Sequence, residues 1–223
     1  MKLGTGVIGG RLPVVMMTAT RTDGNNRNVF TYSDVPIGDP SPERLIVFAY
    51  EAVGFTSTFD QNLFLTVNGA TPDYVSGTVA GAYGVHQIAV PTGTTATFVV
   101  DRTTGGMIAG ALIVWAIYGL RSHVPVDAQL SFGAGASKSV NLTARANGAA
   151  IGYGRDTAGS GSASFAWSGL NETADFAIGG SVGAAEYQTA ALGNRMSAGV
   201  HTVGLSVTRS GSPSTVLIAA SWR

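Results

Sequence analysis

The sequence predicts an all-β protein, a jelly-roll-like antiparallel β-sandwich built from two pseudo-repeated halves. Three observations carry this. Short apolar stretches rich in Val, Ile, Thr and aromatics recur with turn residues between them, which is the strand signature. There are only four Glu and two Lys in 223 residues, so long solvent-facing helices have little material to form from. The series of stretches also occurs twice in the same order, and internal repetition constrains architecture before any local feature does.

Taken in order, residues 1–27 are glycine-rich, then briefly apolar at Val14–Met17, then polar. They read equally as an N-terminal arm with one strand near Leu12–Ala19 or as simply an extra edge strand. The first half spans about 28–120. Its strands begin at Phe30-Thr-Tyr-Ser, Leu45-Ile-Val-Phe-Ala-Tyr, Phe64-Leu-Thr-Val, Val85-His-Gln-Ile-Ala-Val, Thr97-Phe-Val-Val and Ala111-Leu-Ile-Val-Trp-Ala. Val35-Pro-Ile-Gly-Asp-Pro-Ser-Pro reads as a loop, because three prolines block both helix and central strand. Asn68-Gly69 is a strong tight-turn signal. Arg121–Ala136 reads as a connection without linker composition, so one compact sandwich is expected rather than two.

The second half spans about 138–223. Its strands are Ser139-Val-Asn-Leu-Thr-Ala, Ala149-Ala-Ile-Gly-Tyr, Phe165-Ala-Trp-Ser, Glu186-Tyr-Gln-Thr-Ala, Val203-Gly-Leu-Ser-Val-Thr and Val216-Leu-Ile-Ala-Ala-Ser-Trp. Landmarks pair the halves: Tyr50 with Tyr153, Phe64 with Phe165, Tyr74 with Phe176, and Trp115 with Trp222. About thirteen strands result.

Composition bounds function. Hydrophobic residues make up 45% of the chain, and mean hydropathy is +0.24, so a large core can be buried. Charged residues are 12%, about half the usual share, and the formal net charge is zero. A chain without basic excess is poorly suited to displacing counterions from a phosphate backbone, so nucleic acid is not an expected partner. A charge-poor surface favours association, which points to homo-oligomers or a larger assembly. The absence of cysteine removes disulfides and thiolate sites. No secretory signal is read at the N-terminus, where glycines replace an apolar core. Met107–Leu120 is uncharged, but its β-branched and aromatic content favours a buried strand over a membrane span.

Candidate chemistry is sparse. Gly4-Thr-Gly-Val-Ile-Gly9 fits a dinucleotide fingerprint in letters, yet no strand precedes it and no helix follows. His86, His123 and His201 show no metal-ligand spacing, although His86 and His201 occupy strand positions that could approach one another. Glu43, Glu51, Asp60, Asp73, Glu172 and Asp175 are the carboxylates that a glycan hydrolase would draw on, and most lie beside turns. Tyr74, Tyr83, Trp167 and Tyr187 are candidate ligand-contact aromatics for sugar stacking; strand aromatics are more often core. No cofactor, metal site or catalytic residue is expected.

Several phrases point further. Glu43-Arg-Leu-Ile-Val-Phe-Ala-Tyr, Leu65-Thr-Val-Asn-Gly-Ala, Val90-Pro-Thr-Gly-Thr-Thr-Ala-Thr-Phe-Val-Val, Ala111-Leu-Ile-Val-Trp-Ala-Ile-Tyr-Gly-Leu and Phe165-Ala-Trp-Ser-Gly-Leu-Asn-Glu resemble phrases of small β-sandwich structural proteins of tailed-phage or prophage virions. The resemblance covers most of residues 40–222. It implies a non-enzymatic virion component (capsid decoration, fibre or tail-associated), made in the host cytoplasm and assembling with other virion proteins. It carries over no catalytic residue. A carbohydrate- or receptor-binding module, with a host glycan as ligand, is the alternative, and a glycan hydrolase a weaker one.

Overall fold

Glycines, prolines and Asn-Gly punctuation cut the chain into short extended runs, and hydrogen bonding between those runs builds the molecule. The computed structural model describes residues 12–25, 27–54, 63–77, 83–102, 107–157, 163–178, 186–209 and 213–223. Sixteen strands and no helix occur among them. The first eight are β1 (Val14–Asp23), β2 (Val29–Pro36), β3 (Leu45–Gly54), β4 (Leu63–Val67), β5 (Asp73–Gly77), β6 (Tyr83–Ala89), β7 (Thr95–Arg102) and β8 (Met107–Tyr118). The second eight are β9 (Asp127–Ala134), β10 (Ser137–Ala144), β11 (Gly148–Thr157), β12 (Ser164–Ser168), β13 (Asn171–Ile178), β14 (Glu186–Met196), β15 (Gly199–Thr208) and β16 (Ser214–Trp222).

The strands form four antiparallel sheets. The first half supplies a five-stranded sheet, β1-β8-β3-β6-β5, and a three-stranded one, β2-β7-β4. The second half supplies β13-β14-β11-β16-β9 and β10-β15-β12. Adding eight to each strand number of the first pair reproduces the strand order of the second pair, the five-stranded one read backwards.

Three cores stack the sheets as outer, inner, inner, outer. Phe30, Phe98 and Val100 of the first outer sheet meet Phe48, Leu112 and Val114 of the first inner sheet. Leu142, Phe165, Val203 and Leu205 of the second outer sheet meet Ala150, Leu217 and Ala219 of the second inner sheet. Between the two inner sheets lies the third core, with Val47, Trp115 and Ile117 on one side and Ile151, Tyr153, Ile218 and Trp222 on the other. Each half thus pairs its two sheets as a sandwich, and the halves pack through the central core.

This layering explains the long apolar runs. β8 is buried at every position from Ala109 to Ile117, and β16 from Thr215 to Trp222. A strand covered on both faces has no solvent side to mark with polar residues, so alternation disappears. Met107–Leu120 is such a strand in its central part. Among the described residues no helix is long and apolar enough to cross a membrane.

Residues 14–23 form an edge strand of the first inner sheet, in line with the edge-strand reading of the segment around Leu12–Ala19. One expectation from sequence changes: residues 127–134, read as connection, form the corresponding edge strand of the second. Three landmark pairs are also out of phase by a face. Tyr50 lies in the first sandwich core but Tyr153 in the central one. Phe64 is exposed where Phe165 is buried, and Tyr74 stands over His86 where Phe176 packs toward the central core. A shift of one residue moves every side chain of a strand to the other face, so aromatic matching alone slips register. Trp115 and Trp222 do share a core. The Asn68-Gly69 turn is as expected: both residues have positive φ, 51° and 81°, and Val67 and Ala70 exchange two backbone hydrogen bonds across it.

Candidate functional site

An open concavity lies where β1 begins. It is a groove of about 640 Å³ lined by Leu12, Val14, Met16 and Tyr118, with Pro40 and Ser41, and rimmed by Asp39, Glu43 and Arg195. β1 alternates here: Val15 is buried in the central core, while Leu12, Val14 and Met16 are 42–44% exposed. Both faces of this edge segment are thus apolar, but only one is covered by described residues.

Its walls are held firmly. Arg44 is fully buried and donates to four backbone carbonyls: Nε to Val90 (2.7 Å), Nη1 to Gly38 (2.6 Å), and Nη2 to Thr92 (2.8 Å) and Gly93 (2.9 Å). The planar guanidinium suits such a fork, and it ties the loop after β2 to the loop after β6. Tyr118 donates its hydroxyl to the Asp39 carbonyl at 3.0 Å. A Cβ at Gly38, whose φ is +78°, would lie 2.3 Å from that hydroxyl, so glycine is required there.

The free edge of β1 is blocked at the groove. The Asn194 side chain accepts from the Val15 amide (2.7 Å) and donates to the Val15 carbonyl (3.1 Å), as a neighbouring strand would. Pro13 has no N–H to offer. Asn194 reaches Val15 from the other half. Gln87 does the reverse, donating to the His123 carbonyl and accepting from the Trp222 indole, both at 2.9 Å. Sequence reading missed these residues. The available signal was an edge strand apolar at both odd and even positions.

A second cluster is buried between the inner sheets. Glu51 of β3 pairs with Arg155 of β11 and accepts from Gln188 of β14, with the Tyr153 hydroxyl 3.4 Å away. The Arg155 guanidinium lies 5.0 Å from the Tyr83 ring centroid, a cation–π contact. Nearby in sequence, Asp156 accepts from Arg209 (2.8 Å) and from the Ser214 amide (3.0 Å). These charges join elements of the fold, and Glu51–Arg155 joins the two halves.

The remaining sequence candidates are dispersed. Tyr74 is exposed, whereas Tyr83 is buried in the central core. Trp167 packs on β11, where a Cβ at Gly152 would come 2.6 Å from its ring, and its indole donates to Thr189 at 2.8 Å. Tyr187 packs against the same second-sandwich core. The four form no common face. His86 stacks among Phe48, Tyr50 and Tyr74, at centroid distances of 5.7, 5.5 and 5.4 Å. Burial pushes its pKa down to about 4. His201 lies on the second outer sheet and contacts the Ser197 carbonyl, while His86 lies on the first inner sheet, so the fold does not bring the two together.

Of the carboxylates, Glu43 rims the groove and Glu51 is ion-paired. Asp73 is exposed on β5, and Glu172 and Asp175 are exposed on β13. Burial, with repulsion from Asp175, raises the Glu172 pKa. Asp60 and the Gly4–Gly9 motif lie outside the described residues. Among the described residues no three His, Cys, Asp or Glu converge as a metal site would require. No family model, curated protein or solved structure matches this chain.

Proposed function

We propose that the chain is a non-enzymatic structural protein of a tailed-phage virion, acting by protein–protein assembly as a capsid-decoration, fibre or tail-associated component. The observation that carries the assembly reading is the apolar corner at β1, where three large side chains stay more than two-fifths exposed on a rigidly held wall. Exposed apolar patches of this kind mark contact surfaces. The buried charges support the same reading, since Arg44, Glu51, Arg155, Asp156 and Arg209 are engaged in joining elements of the fold. The virion assignment rests on the sequence phrases quoted above. A carbohydrate- or receptor-binding role has less support, because Tyr83 and Trp167 are engaged in packing.

The test is mass spectrometry and imaging of purified particles from the phage or induced prophage that encodes the chain. The chain should be present at a symmetric, stoichiometric position. Its absence from intact particles overturns the virion assignment.

A further inference from the structure

We propose that the groove at the start of β1 receives residues 121–126 of a second copy of this chain, and that two copies insert into one another reciprocally about a two-fold axis. This rests on the reading of that corner as an assembly surface, and names what fills it; it does not need the virion assignment. Beside the groove stands a knob. Val124 is 71% exposed, more than any other large hydrophobic residue described, and Pro125 and Val126 follow it. The knob is pinned on both sides. The Arg121 and Ser122 amides donate to the Arg223 carbonyl at 2.8 and 3.1 Å, and the Val126 amide donates to the Ser221 carbonyl at 2.8 Å. Gln87 donates to the His123 carbonyl at 2.9 Å, and the Val124 amide donates to the Ser122 hydroxyl at 3.1 Å. An apolar tip held in this way loses little conformational freedom on docking. The groove wall is equally prepared, through Arg44 and Tyr118.

Knob and groove are neighbours. Only Gly119 and Leu120 separate Tyr118, a groove wall, from Arg121 at the base of the knob. A smaller cavity of about 110 Å³, lined by Arg121, Asn147 and Arg223, shares Leu12 and Gly119 with the groove. A knob next to a groove that suits it makes a self-complementary surface. Under a two-fold, each copy's knob meets the other's groove, and the contact closes at two copies. The chemistry matches as well. The apolar tip meets Leu12, Val14, Met16 and Tyr118. The groove's rim carries two carboxylates, Asp39 and Glu43, against the single cation Arg195, while the base of the knob carries Arg121. Arg121, Asp39 and Glu43 form no ion pair among the described residues. Each insertion therefore sets a cation of one copy against carboxylates of the other, which fixes the register of the contact. Strand addition does not compete at this point of β1, because Pro13 lacks a donor and Val15 is occupied by Asn194.

Light scattering on the unmodified full chain at micromolar concentration should give a dimer. Val124→Asp in the knob and Val14→Asp in the groove should each give a monomer. Both residues are exposed, and unchanged urea midpoints check that the fold survives. Charge reversal tests the reciprocity. Glu43→Arg alone and Arg121→Glu alone each set like charges together at both insertions, so each should weaken dimerisation about tenfold or more. An equimolar mixture of these two variants restores opposite charges at both insertions and should dimerise as the unmodified chain does. The proposal is overturned by a monomeric unmodified chain, by a ring or filament in place of a dimer, by single reversals that leave the dimer unchanged, or by a mixture that fails to rescue them. The assembly reading has a separate outcome. If the unmodified chain is a monomer but Val14→Asp keeps it out of particles, the corner serves a different protein and only the two-fold falls. If that variant also enters particles normally, both fall.

Discussion

Glu51 and Arg155 illustrate what single residues do in this fold. Each is a charge in the central core, supplied by a different half. Removing one partner of a buried pair strands the other, at about 3–5 kcal/mol, whereas replacing both by apolar residues of similar volume is often near neutral. Glu51→Leu alone should therefore lower the denaturation free energy by about 3 kcal/mol or more, and Glu51→Leu with Arg155→Met by much less. A double-mutant cycle in urea measures both; equal losses for the single and the double variant would contradict the pairing. His86 carries a pH dependence. Its neighbours Phe48, Tyr50 and Tyr74 give an uncharged surrounding, and burial lowers its pKa from 6.5 to about 4. The folded state thus favours neutral imidazole. The associated stability is complete above pH about 6.5 and is lost as pH falls toward 4, with an upper size of about 3 kcal/mol. Between pH 7 and 4.5 the urea midpoint should fall less for His86→Phe than for the unmodified chain. Identical pH profiles would refute this assignment.

At the scale of elements, the inner strands and the edge strands follow different rules. β8 and β16 are apolar at nearly every position because sheets cover both their faces. Their identity as strands was legible in β-branched and aromatic content. Their two-sided burial was not, since a continuous apolar run fits several environments. β1 and β9 were the harder elements. β1 fades into Thr-Arg-Thr-Asp, and β9 is half-buried at most positions without clean alternation. Edge strands carry less packing and so less pattern. Their protection is also non-local: the amide that caps Val15 comes from Asn194, 179 residues away.

For the whole molecule, the central core is the decisive contact. It contains both Trp115 and Trp222, and its contacts are reciprocal: β5 touches β9 and β16, while β13 touches β1 and β8. The connection between halves is short and peripheral, with Val124 71% exposed. If the core rather than the connection holds the halves, cutting the connection should not separate them. A protease site inserted at His123–Pro125 in the full chain, cleaved after folding, should leave both fragments eluting together at micromolar concentration. They should separate only in denaturant. Separate elution in native buffer would show that the covalent link is required.

The sequence by itself determined the all-β class, most strand positions, the Asn68-Gly69 turn and the apolar character of the inner strands. These are local: propensity, turn chemistry and hydrophobicity act within a few residues. Only the tertiary structure decided that two sandwiches stack through a third core, and which face each aromatic takes. The same holds for the places of Glu51, Asn194 and the β1 groove, each of which depends on residues far apart in the chain. Register and layer order are set by pairing between distant strands, and one residue of slip reverses every face. That is why Tyr50 and Tyr153, alike in sequence, point into different cores.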